Sequence, residues 1–192
     1  MPELKKYNFG CGLQKLKGYV NVDIDESIKP DLIVNLTEAP FNAIDSDSAS
    51  QIILLHTIEH IEKRFHFNIL IEFQRILHET GTVYIAFPEF EKTATNWLSN
   101  FQGKREFWEA TIFGRGLSEH DRHVCAMRAI EVQEMMIECG FKNIRITSEP
   151  GSDYNTLISA GKGVRLPTYE EYISKESLGI DEKAKSILLK KP

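Results

Sequence analysis

Residues 9–25 read FGCGLQKLKGYVNVDID. Two glycines, Gly10 and Gly12, bracket Cys11 directly after a short apolar run, and Asp23 closes the next such run. Glycines in this place let the backbone turn sharply and approach a ligand without a Cβ in the way. A carboxylate at the end of a second strand can accept hydrogen bonds from both hydroxyls of a ribose. Each part alone is weak: G-x-G also marks a plain tight turn, and Asp23 and Asp25 also suit solvated turn positions. Together they read as the opening of a nucleoside-binding α/β unit. The connection between them is short, with six residues from Leu13 to Gly18 where a helix is usual. A dinucleotide fold rests its pyrophosphate on the N-terminus of that helix. Here the helix has no room, and Lys15 takes the place of the third glycine of G-x-G-x-x-G. A nucleoside cofactor without phosphates loses little from the deletion.

Further β-rich runs lie downstream. After KYNF (6–9) and YVNV (19–22) come DLIV (31–34), QIILL (51–55) and TVYIAF (82–87). They are apolar on both faces, as central parallel strands are. Between the last two, Phe65, Ile69, Phe73, Ile76 and Leu77 recur at helical spacing, and Gly81 closes the connection, which makes a crossover unit. The aromatic-rich stretch from Glu91 to Leu117 interrupts the alternation and predicts helices over one edge of the sheet. Ala129 to Cys139 predicts a helix ended by Gly140. FKNIRIT (141–147) and YNTLISAG (154–161) predict two strands joined by a Pro-Gly turn. Residues 165–192 predict a helical tail on a single domain spanning 1–192.

Composition bounds the function. The chain has 192 residues, 42% hydrophobic and 27% charged, which is ordinary for a soluble globular protein. Its net charge of −5 opposes general nucleic-acid binding, which needs a basic face. No apolar run is long enough to span a membrane, and the N-terminus lacks the apolar core of a signal peptide. Cys11, Cys125 and Cys139 are odd in number and widely spaced, which fits reduced thiols and a cytoplasmic location.

With these residues in order, the chain resembles the class I S-adenosylmethionine-dependent methyltransferases. It is most similar to a small, type 11-like bacterial branch with a shortened first crossover, whose members often sit near glycan or surface-polymer biosynthesis. The matching stretches are NFGCG (8–12), GYVNVDID (18–25), DLIVNLTEAPF (31–41), IILLHTIEHI (52–61), EFQRILHETGTVYIAFPEF (72–90) and MIECGF (136–141). The resemblance implies a Rossmann-like α/β fold, with a seven-stranded, mostly parallel sheet whose last strand is antiparallel and helices on both faces. It implies S-adenosylmethionine as cofactor. Asn8, Gly10, Cys11 and Gly12 would line its methionine end, Asp23 would hold the ribose, Asn35 and Leu36 would meet the adenine, and His56 would face the cofactor from the end of the fourth strand. Many members carry an acid where Asn8 stands and Asp where Asn35 stands. The implied activity is methyl transfer to an O or N nucleophile of a small molecule or glycan precursor. The rival of the same fold is a binding domain that has lost catalysis.

Residues 56–60, HTIEH, also spell H-x-x-E-H. On a helix, His56 and His60 would share a zinc ion with Glu59 as base, and Glu134 or Glu138 would complete a peptidase site. Because His56 follows directly on QIILL, the string predicts a strand end and no metal. The second polar cluster, SEHDRHV (118–124), falls where a substrate-facing loop is expected. Transfer to a hydroxyl needs a base, and imidazole suits neutral pH. His123, His120 and His60 are the catalytic candidates, with Asp121 beside them; a charged surface loop is the structural alternative.

Overall fold

The computed structural model describes residues 3–116 and 121–164. The expected helical tail, 165–192, lies outside the described residues.

Seven strands form one sheet: β1 (Lys5–Phe9), β2 (Val20–Asp23), β3 (Leu32–Ile33), β4 (Ala49–Leu55), β5 (Leu77–Pro88), β6 (Lys142–Ser148) and β7 (Asn155–Gly161). Their order is β3-β2-β1-β4-β5-β7-β6. β7 runs antiparallel to both neighbours, and the pairs among β1 to β5 are parallel. This is the Rossmann-like sheet with an antiparallel last strand that the resemblance implies. Among the described residues four α-helices accompany it: α1 (Lys63–Ile76), α2 (Phe90–Leu98), α3 (Arg105–Phe113) and α4 (Ala129–Glu138).

Register explains the core. Val22, Phe9, Leu54, Ile85 and Ile158 are successive cross-strand partners, and all are fully buried. Phe9 meets Phe73 of α1 with ring centroids 4.8 Å apart, so this row faces α1. In α1, Ile69, Leu70, Phe73 and Ile76 are fully buried, at helical spacing. α4 packs on the same core through Val132 and Met136. Leu77 departs from the helical reading: its backbone is extended (ψ 131°) and it opens β5. The register of β4 on β5 shifts between Ala49 and Gln51, where residues 78–81 are looped out. Gly81 sits in that irregularity, and a Cβ there would meet the Ala49 carbonyl oxygen at 2.7 Å.

The row on the other side of the sheet includes Asn21 and Asn8, where the short connection replaces a crossover helix. The Asn21 Oδ1 accepts from Asn8 Nδ2 at 3.1 Å and from the Leu16 amide at 2.8 Å. Its Nδ2 donates to Asp31 Oδ2 at 2.9 Å, and Asn8 also donates to the Gln14 carbonyl at 3.1 Å. Hydrogen bonds thus pin the loop where a helix would pack by apolar contact. The Asn21 backbone amide, which donates to Asp31 Oδ2 at 2.8 Å, and then its side-chain amide hold the Asp31 carboxyl below its usual range.

The aromatic insert becomes the expected helices, α2 and α3. Phe107 and Trp108 pack edge-on against Tyr154, just before β7, with centroids 5.7 and 5.1 Å away. No helix among the described residues is long and apolar enough to cross a membrane.

Candidate active site

The sheet order reverses between β1 and β4, and crevices at such points, beyond the carboxyl ends of strands, are where open α/β sheets bind ligands. A cleft of about 630 Å³ opens there, within the usual range for ligand sites. A second hollow, about 650 Å³, lies at the opposite end of the strands between Asp47, Phe141 and Lys162 and gathers none of the candidate residues.

β1 delivers the glycine loop. Gly10 and Gly12 have φ of 63° and 48°, a region that favours glycine. A Cβ on Gly10 would come within 2.3 Å of the Thr57 side chain. β2 delivers Asp23, whose Oδ2 accepts from the Gly12 amide at 2.8 Å and whose Oδ1 accepts from the Asp25 amide at 3.0 Å. The acid and the second glycine are therefore one cradle. β3 leads into Val34, Asn35 and Leu36, which also line the cleft. Asn35 Oδ1 accepts from the Thr37 amide at 3.0 Å, which fixes the turn.

Of the expected cofactor contacts, Gly10, Gly12, Asp23, Asn35, Leu36 and His56 line this cleft. Asn8 and Cys11 do not. Asn8 is buried beneath the loop, with its amide committed to Gln14 and Asn21. Cys11 is also buried, which pushes its thiol up, with the Asp23 carboxylate adding to the effect. The sequence reading passed over Ile24, Ile28 and Thr57, which also line the cleft. Ile24 could have been found: it is an apolar residue between two acids at a strand end, and it remains 48% exposed.

The HTIEH string comes straight off β4. His56 takes a left-handed conformation (φ 50°), and Ile58–His60 forms a single 3-10 turn. This removes the helical face that the peptidase reading needs for His56 and His60. The His56 Nε2 instead lies 3.0 Å from Glu149 Oε2, and its Nδ1 lies 3.6 Å from Glu59 Oε1. Glu59, with Glu149 beyond it, raises the His56 imidazole above its ordinary value against the opposing effect of burial.

Glu59 is 2% exposed, and neither carboxylate oxygen has a hydrogen-bond partner among the described residues. Burying a carboxylate without compensation is costly. Its neighbours are imidazoles. His60 and His123 meet edge-on at 4.8 Å between ring centroids. One ligand atom each from Glu59, His60 and His123 falls within a 4.8 Å span. The His60 Nδ1 lies 3.0 Å from the Arg122 carbonyl oxygen and donates there. Burial lowers the His123 imidazole below its usual value, although Glu59 opposes the shift.

His123 reaches this corner because its segment is strapped to the 3-10 turn. The Val124 amide donates to the Glu59 carbonyl at 2.9 Å, and Gly114 pairs with Arg122 in an antiparallel bridge. Gly114 is required there, since a Cβ would lie 1.9 Å from the Asp121 carbonyl oxygen. Asp121 pairs with Arg115, at 2.9 Å. His120 lies outside the described residues. The structure thus brings His60 and His123 together and adds Glu59, which the sequence reading kept only for the helical motif.

No known family model matches the chain, and no curated protein matches its sequence. Solved structures do. A SAM-dependent methyltransferase of Thermotoga maritima, a possible histamine N-methyltransferase, is 14% identical over 84% of this chain and 83% of that chain, with a TM-score of 0.58. A SAM-dependent methyltransferase of Methanosarcina mazei is 12% identical over 86% and 95%, with a TM-score of 0.59. The CMeT domain of the citrinin polyketide synthase is 16% identical over 84% of this chain, with a TM-score of 0.58. The match spans 47% of that longer chain. At such identities the likeness is one of fold: the chain has the fold of the class I methyltransferases.

Proposed function

We propose that the chain binds S-adenosylmethionine in this cleft and transfers its methyl group to an oxygen or nitrogen nucleophile of a small molecule or glycan precursor. The observation that carries the reading is the locked pair of Gly12 and Asp23 at the switch point of the sheet. It offers a ribose acceptor and a close backbone approach with no helix dipole for a pyrophosphate, which suits a phosphate-free nucleoside.

In this reading the backbone at Gly10 and Gly12 meets the methionine end, and Asp23 holds the ribose hydroxyls. Asn35 and Leu36, with Ile24 opposite, enclose the adenine. His56 flanks the sulfonium end, and His60 and His123 stand on the acceptor side, where they activate the nucleophile. Methyl transfer is an in-line displacement: the nucleophile's electron pair forms a bond to the methyl carbon while the carbon–sulfur pair returns to sulfur. The protein's part is to align the two and to help the acceptor lose its proton.

Titration calorimetry tests the reading. Binding of S-adenosylmethionine and S-adenosylhomocysteine with no binding of NAD is expected. Tight NAD binding with no response to either sulfur nucleoside would end it.

A further inference from the structure

We propose that Glu59, His60 and His123 together bind one divalent transition-metal ion at the acceptor end of the cleft. Two independent observations meet at this point. The first is the ligand set: a carboxylate and two imidazoles, each offering an atom within one 4.8 Å span. Metal–ligand bonds of about 2.1 Å at tetrahedral angles place two ligand atoms about 3.4 Å apart. The outermost pair therefore closes by roughly 1.4 Å on binding, through side-chain rotation. The second is Glu59 itself, buried with neither oxygen hydrogen-bonded among the described residues and with His56 Nδ1 no nearer than 3.6 Å. A bound cation supplies the close coordination that this carboxylate lacks.

An outer contact fits the same role. A metal-bound histidine commonly donates its other ring N–H to a carbonyl, which fixes the tautomer. The His60 Nδ1 already faces the Arg122 carbonyl oxygen at 3.0 Å. Two imidazoles with one carboxylate suit zinc, iron or manganese better than calcium or magnesium, which prefer oxygen alone. Three protein ligands leave coordination positions open, and because His60 lines the cleft, those positions face its contents.

The catalytic consequence rests on the proposed function; the binding of metal does not. An acceptor hydroxyl on the ion would lose its proton to water more readily. Its oxygen pair would then attack the methyl carbon as the carbon–sulfur bond breaks toward sulfur.

The test begins with chelator-treated chain dialysed against Co²⁺ and, separately, Zn²⁺. About one ion per chain is expected, with a cobalt spectrum showing nitrogen ligation. Glu59→Gln and the double variant His60→Ala/His123→Ala should each weaken binding by about 100-fold or more. S-adenosylhomocysteine titrated into the native chain, with and without metal, should bind within a few-fold in the two cases. Native chain that takes up no ion overturns the proposal, as does a double variant that keeps native metal affinity. If Glu59→Gln fails to fold, the native cobalt spectrum decides, and a spectrum like that of the aqueous ion rejects the site. Metal binding without nucleoside binding supports the site and removes the cofactor reading; nucleoside binding without metal removes the site alone.

Discussion

Replacing Asp23 by Asn separates the two jobs assigned to this carboxylate. An ionised carboxylate has about four acceptor positions. The Gly12 and Asp25 amides occupy one on each oxygen, at 2.8 and 3.0 Å. Two remain, one for each ribose hydroxyl. An Asn side chain accepts on one oxygen only, so it loses one internal amide and at least one ribose contact. A hydrogen bond to a charged group contributes about 1.5–3 kcal/mol, so S-adenosylhomocysteine affinity should fall roughly 10- to 150-fold. Asp23 is half-buried, and water can reach the freed amide. The stability loss should therefore be smaller, about 1–2 kcal/mol, which lowers the melting temperature by roughly 2–8 °C. Calorimetry gives the affinity and a circular dichroism melt gives the stability. An Asp23→Asn chain that melts cooperatively and binds the nucleoside within about threefold of native would refute the ribose assignment; Asp25 would then be the better candidate.

Gly10→Ala should cost about 1–3 kcal/mol in a thermal melt, because the new Cβ meets Thr57 at 2.3 Å on a backbone with φ of 63°; an unchanged melting temperature would contradict the geometry at the strand junction. All three thiols should resist labelling at pH 8 in the native chain and react fully in denaturant. Burial pushes Cys125 up to about 11 and raises Cys11 and Cys139 as well, so little thiolate exists; a thiol that reacts at the rate of free cysteine in the native protein would show the packing wrong. His123→Ala should leave nucleoside affinity near native while lowering turnover by roughly two to four orders of magnitude, since it packs on His60 without itself lining the cleft; once an acceptor is known, near-native turnover would leave alignment alone as the means of catalysis.

The first half of the fold is legible because each strand carries its own local signal. FGCG and NVDID announce a turn and an acid that the structure places in one hydrogen-bonded cradle. The α1 helix follows from its apolar spacing, and it ends one residue early only because Leu77 is needed in β5. The acceptor corner was less legible for a topological reason. Glu59 and His60 are adjacent in sequence, but His123 reaches them through backbone pairing at Val124 and Gly114, which no periodicity records. H-x-x-E-H drew attention to His56 with His60, whereas the left-handed turn at His56 breaks that pair and leaves Glu59 and His60 to meet His123. Asn8 shows the opposite error of emphasis. Its position in the motif suggested a ligand contact, but the shortened crossover uses its amide to hold the loop.

That use of Asn8 bears on how this chain can change over evolutionary time. A helix laid on a sheet by apolar contact tolerates many substitutions of similar volume. The clasp of Asn8, Asn21 and Asp31 does not, because each side chain supplies donors or acceptors that the others need. Replacing Asn8 or Asn21 strands its buried partner, so these two positions are coupled, while Asp31 is exposed and water can take over its bonds. Where a crossover helix would make a permissive contact, the domain has a combinatorial lock beneath the same loop that carries Gly10 and Gly12.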